Sequence, residues 1–272
     1  MQKSELIESL LFYENKLGKS PGRREVPYKL YNFSCKYFGS WNKAKEAANL
    51  KVDRRKCEPI LKESKKYTLE LVRIISYITG DGHLHKDLKG FLHSSQDINS
   101  LEDFEYCVKK QFSMSVSKIQ DSVTTEYGEG AIQYRYFNTE IAKFLYSIGA
   151  PKGDKVITKF NVPEWIKENK EFMKEYLKIL FYCEGSKYFD KNICKERIQI
   201  NMRKTEDLIE EGKIFMNSLK QALKIYFDIE TSNLSLMKGK KRNKDNKETK
   251  DIRFTIKTHF VADFVKKIGW LK

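Results

Sequence analysis

The sequence predicts a mixed α/β (α+β) protein: two pseudo-symmetric αββαββα halves behind a small N-terminal helical domain. Three observations carry this prediction. Residues 67–272 repeat themselves once, each copy switches between helical and strand periods in the same order, and the first 66 residues form a separate, basic, helix-patterned block. The expected boundaries are a helical module over 1–50, a basic linker over 51–66, and halves over 67–160 and 161–272.

The first block holds 16 basic and 8 acidic side chains, against 36 and 29 in the other 206 residues. Leu6, Ile7, Leu10, Leu11 and Leu17 mark an amphipathic helix that breaks at Gly18 to Gly22 around Pro21. The apolar pattern resumes with Phe33, Phe38, Trp41, Ala44, Ala47, Ala48 and Leu50, so two or three short helices are expected. Ser40 or Asn42 is placed to cap the last of them and Trp41 to anchor it. Arg23, Arg24, Lys36, Lys43 and Lys45 are placed to meet phosphates. The segment KVDRRKCEPILKESKK (51–66) carries seven basic and three acidic residues with Pro59 inside it, which suggests either an exposed linker or a solvated helix end.

The repeat begins with TLELVRIISYITGDGHL (68–84) and MKEYLKILFYCEGSKY (173–188). Each is an apolar helix ending in an acidic residue and a glycine, with Asp81 and Glu184 103 residues apart. Downstream, IQYRYFNTEIAKFLYSIG (132–149) matches IRFTIKTHFVADFVKKIG (252–269) at an offset of 120. The lysine-rich stretch KGKKRNKDNKETK (238–250) absorbs most of the difference as a longer loop, a clamp for a phosphate backbone or a disordered loop, two readings that do not exclude each other. Within a copy the expected order is helix, two strands, helix, two strands, helix. From Arg197 to Arg203, Ile198, Ile200 and Met202 alternate with Arg197, Gln199, Asn201 and Arg203, so one sheet face packs and the other offers long polar groups. The paired segments repeat this with Gln133 and Arg135 on one outer face and Arg253, Thr255 and Lys257 on the other. His83 and His85 share a face by strand spacing; with His93 they raise a zinc site, with base or phosphate contact or plain exposure the favoured alternatives.

A carboxylate in the last turn of a helix sits at the negative end of the helix dipole, an unfavourable place that this chain uses twice. Gly82 and Gly185 suit a left-handed C-cap, which places Asp81 and Glu184 where the helices stop. If the helices pack side by side, both carboxylates and nearby carbonyls, those of Gly80 and Cys183 among them, converge. Such a point suits a hard divalent cation, Mg²⁺ or another, that activates water for attack on phosphate. Surface ion pairing of each acid is the plain alternative.

The segments IISYITGDG (74–82) and LKILFYCEG (177–185) resemble the two motifs of a single-chain LAGLIDADG homing endonuclease, with the acidic residue and final glycine in register. The resemblance covers residues 67–272, and GAPKGDKVITKFNVPEWI between the copies resembles the family's bridge into its second motif. Ser76 and Ile179 stand where the family carries small residues, while Gly80 and Cys183 are small. The resemblance implies a DNA-binding saddle of two sheets in the major groove, with the motif helices between the halves and the acidic pair binding metal below the scissile phosphates. It also implies basic or amide groups around the metals; the candidates by position are Gln96 or Asp97, Arg203 or Lys204, and Lys152 or Lys155. LGKSPGRREVPYKLYNFSCKYFGSWNKAKEAANL (17–50) is similar to the helical repeat attached to homing endonucleases, which implies auxiliary DNA binding.

Composition agrees with this and removes other classes. The net charge of +15 favours a polyanionic partner. Five cysteines without a C-x-x-C pair indicate neither a zinc ribbon nor a disulfide framework. No apolar run approaches the roughly 18 residues of a membrane span, and the charged N-terminus does not read as a secretory signal. A cytoplasmic or nucleoid-associated monomer that binds long, non-palindromic double-stranded DNA, and no membrane, is expected. The rival expectation is a relative without cleavage, an intron maturase or a transcriptional regulator.

Overall fold

The computed structural model describes residues 2–52, 67–125 and 128–271, with the side chains of Arg24 and of residues 122–129 also outside the description. Contacts divide the chain into Met1–Glu58 and Pro59–Lys272. Most of the expected linker, 53–66, lies outside the described residues.

The first unit holds α1 (Lys3–Leu17), α2 (Tyr28–Phe38) and α3 (Trp41–Ala47). Gly18 ends α1 and Gly39 ends α2, both in the left-handed conformation. Ser40 Oγ accepts from the Lys43 N–H at 3.2 Å and so caps α3, as its position in the sequence suggested. Leu6, Leu10, Leu30, Ala44 and Leu50 are buried, with Trp41 packed against them.

The second unit contains the repeated pattern in full. The first half runs α4 (Leu69–Thr79), β1 (Gly82–Leu84), β2 (Phe91–Ser95), α5 (Ile98–Phe112), β3 (Lys118–Thr125), β4 (Gly128–Tyr136) and α6 (Thr139–Ser147). After the short α7 (Glu164–Lys167), the second half runs α8 (Lys170–Glu184), β5 (Gly185–Asp190), β6 (Lys195–Thr205), α9 (Ile209–Phe227), β7 (Ser235–Lys238), β8 (Thr249–Thr255) and α10 (Val261–Lys267). Each half forms a four-stranded antiparallel sheet, in the orders β1-β2-β4-β3 and β5-β6-β8-β7. The registers are equivalent: Gly82 faces His93, and Gly185 faces Ile200. One continuous apolar core joins the halves, with α4 and α8 packed together at its centre. Every residue of α4 from Leu71 to Thr79 is buried except Arg73. Arg73 is tied to Asp103 at 2.7 Å, and Asp103 also accepts from the Tyr77 hydroxyl at 2.8 Å.

His93 is fully buried between Tyr77 and Phe104, its Nε2 3.1 Å from Ser100 Oγ, and burial pushes its pKa down to about 3. This removes it from any site shared with His83 and His85. It also makes it a source of acid sensitivity, because the unfolded chain takes up a proton near pH 6.5 while the folded chain resists until about 3. Stability is therefore expected to fall as pH drops from 6.5 toward 3, and His93→Gln should flatten that slope in urea melts at stepped pH.

Candidate active site

The glycines after the acidic residues correct one expectation. Neither Gly82 nor Gly185 is left-handed: Gly185 is extended at φ −88°, and α4 ends at Gly80 with φ −81°. Crowding is what requires glycine here. A Cβ at Gly185 would lie 2.3 Å from the Phe181 carbonyl oxygen, and one at Gly80 would lie 2.4 Å from Cys183 Cβ. The second distance places the equivalent ends of α4 and α8 in direct backbone-to-side-chain contact. Ser76 and Ile179 do not prevent this. Ser76 is buried with its hydroxyl turned back to the Val72 carbonyl at 2.8 Å, and Ile179 packs into the common core.

Asp81 and Glu184 are exposed at these adjoining ends. Lys155 stands next to both. Burial pushes its pKa down, while Glu184 and then Asp81 pull it up, so its ammonium lies within the field of the two carboxylates. Its Nζ donates to the carbonyls of Ile78 at 3.3 Å and Gly82 at 3.1 Å, which holds the turn that carries Asp81. The Cys183 thiol is pushed well above its ordinary range, by burial first and by Asp81 second, so it stays protonated and is no thiolate ligand. Among the described residues no three His, Cys, Asp or Glu side chains come together, so the acids contribute two carboxylates and the rest of any coordination shell must be other oxygens. Such a shell suits Mg²⁺, which is commonly held by one or two carboxylates with waters and substrate phosphates.

Lys204, grouped with the cationic candidates on position, has another task. It is 1% exposed, donates to the carbonyls of Lys155 at 2.6 Å and Thr158 at 2.7 Å, and sits 4.1 Å from the centre of the Phe160 ring. It fastens the bridge that carries Lys155 and does not face the carboxylates. Gln96 is exposed just beyond β2, while Asp97 caps α5 and accepts from the Tyr182 hydroxyl. Lys152 packs over the Tyr146 ring at 4.2 Å.

The outer sheet faces carry the expected polar rows. Gln199, Asn201 and Arg203 oppose Thr255, Arg253 and Asp251, and Arg203 is forked onto Asp251 with Nε at 2.8 Å. Arg197 lies 3.1 Å from Asp190, and Arg135 Nε donates to Gln133 at 3.0 Å. His83 is half-buried, its ring 5.7 Å from that of His85, and burial with neighbouring cations lowers its pKa. Lys257 lies past the end of β8 and pairs with Glu230 at 2.6 Å, so it is not part of the strand row. In the first unit Arg23 and Lys43 are exposed, Arg23 stacking 4.7 Å from the Tyr31 ring centre. Lys45 is buried, which removes it from the phosphate candidates, and the Arg24 side chain lies outside the described residues.

One feature of the site was not foreseen. A cleft of 430 Å³ opens beside Glu184, walled by Lys155 and Asp154 and by the lysine-rich loop after β7. Arg242 of that loop forks onto Asp154, with Nη2 at 2.7 Å and Nη1 at 3.3 Å, so the loop is ordered and tied to the bridge.

A family model described as the homing endonuclease associated repeat matches residues 1–51. The replication factor C small subunit of Methanocaldococcus jannaschii is 28% identical over 187 residues, covering 64% of this chain and 10% of that protein. The tRNA-splicing ligase RtcB of Methanopyrus kandleri is 30% identical over 181 residues, covering 63% of this chain and 18% of that protein. The chain thus spans a tenth to under a fifth of these relatives. The solved structures it resembles include the N-terminal LAGLIDADG domain of DUF199/WhiA, with TM-score 0.44, 14% identity, 78% of this chain and 87% of that one. Variants of the homing endonuclease I-DmoI give TM-score 0.44 at 13% identity, over 74% and 88%. I-DmoI in complex with its nicked target DNA in the presence of manganese gives 0.43 at 12%, over 75% and 97%.

The Lys204 pKa is pushed down to about 8 by burial. Between pH 8 and about 10.4 the unfolded chain holds a proton here that the folded chain has released, so this group makes stability rise with pH across that window. Thermal melts of wild type and Lys204→Met should diverge in wild type's favour as pH climbs from 8 to 10.

Proposed function

We propose that this chain is a site-specific, divalent-metal-dependent DNA endonuclease that binds a long non-palindromic duplex as a monomer. The observation that carries this reading is the meeting of two acidic helix ends, Gly80 against Cys183, with Lys155 held in the field of both Asp81 and Glu184. The negative ends of two helix dipoles and two carboxylates make a point of negative potential where a hard cation gains. A divalent cation bound there would supply an activated water and offset charge on the phosphodiester as its bond breaks. Asp81 and Glu184 would hold it, the Gly80 and Cys183 carbonyls border it, and Lys155 stands beside both acids while keeping the Asp81 turn in place.

The match of residues 1–51 to the homing endonuclease associated repeat supports a DNA role for the first unit, with Arg23 and Lys43 as phosphate contacts. The recurrence of similar sequence as a small part of two proteins with unrelated names supports a portable insert, as a homing element would be. On each sheet the outer rows read bases: His83, His85, Gln133 and Arg135 in one half, Arg197, Gln199, Asn201, Arg203 and Arg253 in the other. The rows differ, so the half-sites differ.

Asp81→Asn and Glu184→Gln are expected to abolish double-strand cleavage of an insertion-site library in Mg²⁺ and to leave affinity in Ca²⁺ nearly unchanged, since each removes a metal ligand and little phosphate contact. Cutting by the double variant would end this reading. Binding without cutting by wild type would mark the chain as a relative that only binds.

Replacing Arg197 or Arg203 by alanine should relax specificity in one half-site alone, by about 1 to 3 kcal/mol for each bidentate base pairing removed. Profiling every single-base substitution across the site measures this, and an equal loss in both half-sites would contradict it.

A further inference from the structure

The lysine-rich loop has features that the sheet rows and the carboxylates leave unused. Residues 239–248 close the β7–β8 hairpin, and the loop is held together by internal bonds: Gly239 N–H to the Thr249 carbonyl at 2.9 Å, Thr249 Oγ1 to the Lys240 carbonyl at 2.6 Å, and Arg242 N–H to the Lys247 carbonyl at 3.0 Å. Its guanidinium faces inward. Arg242 is 10% exposed and bonded to Asp154 on the bridge and to Asp245 at 2.8 Å within the loop. Its ammonium groups do the opposite: Lys240, Lys241 and Lys244 are exposed and line the cleft that Glu184 borders. Among the described residues none of the three makes an ion pair. The charge of Lys244 reaches across to the first half, where it contributes to lowering the pKa of both His83 and Asp154.

We propose that this loop is a preorganised phosphate-binding site beside the carboxylates, in which Lys240, Lys241 and Lys244 grip backbone phosphates and the Arg242–Asp154 fork holds the loop in position. The ligand is the phosphodiester backbone of duplex DNA, so the proposal rests on the DNA-binding part of the function proposed above. Division of labour by side-chain type supports it. A planar guanidinium matches a carboxylate in two parallel bonds and fixes geometry, whereas an ammonium on a flexible stem serves as a point charge for phosphate. Tethering the loop in advance removes ordering cost that a free lysine-rich loop would meet on binding. Asp154 also accepts from the Val156 N–H at 3.1 Å, next to Lys155, so the fork links the loop to the segment that carries the site's own cation.

The test uses the full chain and a random-sequence 40-base-pair duplex in Ca²⁺, with affinity followed by fluorescence anisotropy over a salt series. Substituting Lys240, Lys241 and Lys244 together by alanine should reduce the slope of log affinity against log salt by about 2 to 3, close to one unit for each phosphate no longer neutralised. A control variant with Lys109, Lys143 and Lys174 replaced, all exposed on helices, removes the same charge and should leave the slope near wild type. Equal slopes for the two triple variants would overturn the proposal. Asp154→Asn gives a second readout, because asparagine keeps an oxygen for Val156 N–H but loses the charged fork. Removing a negative charge should tighten binding if only net charge counts; release of the loop should instead weaken it, roughly 3- to 10-fold. Tighter binding by Asp154→Asn would overturn the fork's role. Loss of the nuclease reading shows separately, as wild type that binds this duplex in Ca²⁺ but cuts no library member in Mg²⁺.

Discussion

The site depends on one steric constraint, the contact between Gly80 and Cys183 where α4 and α8 end side by side. A Cβ on Gly80 has no room against the Cys183 side chain. That contact sets the distance between the two helix ends and so between Asp81, just past the end of α4, and Glu184, the last residue of α8. Because the equivalent registers Gly82 to His93 and Gly185 to Ile200 continue from these ends, it also sets the separation of the two sheets. The extended conformation after Glu184, with Gly185 pressed against the Phe181 carbonyl, turns the chain directly from helix into strand without a loop that could loosen the carboxylate.

The bridge between the halves is fastened by two lysines, one half-buried and one buried, in place of apolar packing alone. Lys155 binds carbonyls of the first half, and Lys204 reaches from β6 to bind carbonyls on either side of the bridge turn. A desolvated ammonium is costly unless its donors are satisfied, so each lysine demands a particular backbone geometry around it. The same demand makes them specific: a greasy side chain in either place would fill space without fixing where the carbonyls lie.

Much of this was legible in the sequence. The repeat gave the order of elements in both halves, and Ser40 was one of the two residues offered for the cap that it makes. The alternation Ile198, Ile200, Met202 also contained the answer for Lys204, which continues the inward parity of the strand, although its charge argued for a place at the surface. Lys45 misled for the same reason. What the sequence did not contain was distance. Glycine after an acidic helix end is compatible with a left-handed cap and with steric exclusion, and only the placement of Cys183 and Phe181 decides between them. The Arg242–Asp154 fork spans 88 residues and has no local signature, so the lysine-rich segment was compatible with a clamp, with disorder, or with both.

Helix α4 has one more consequence, which concerns how the chain is made. It is apolar around almost its whole circumference, and its partner α8 begins at Lys170, 91 residues after α4 ends at Thr79. At roughly 5 to 20 residues per second a ribosome takes about 5 to 20 s to synthesise that interval. Throughout it, the first half can complete its sheet and pack α5 on α4, while the side of α4 that meets α8 stays uncovered. Until α8 emerges, that apolar side needs shielding on the nascent chain, a hazard of synthesis that the finished fold no longer shows.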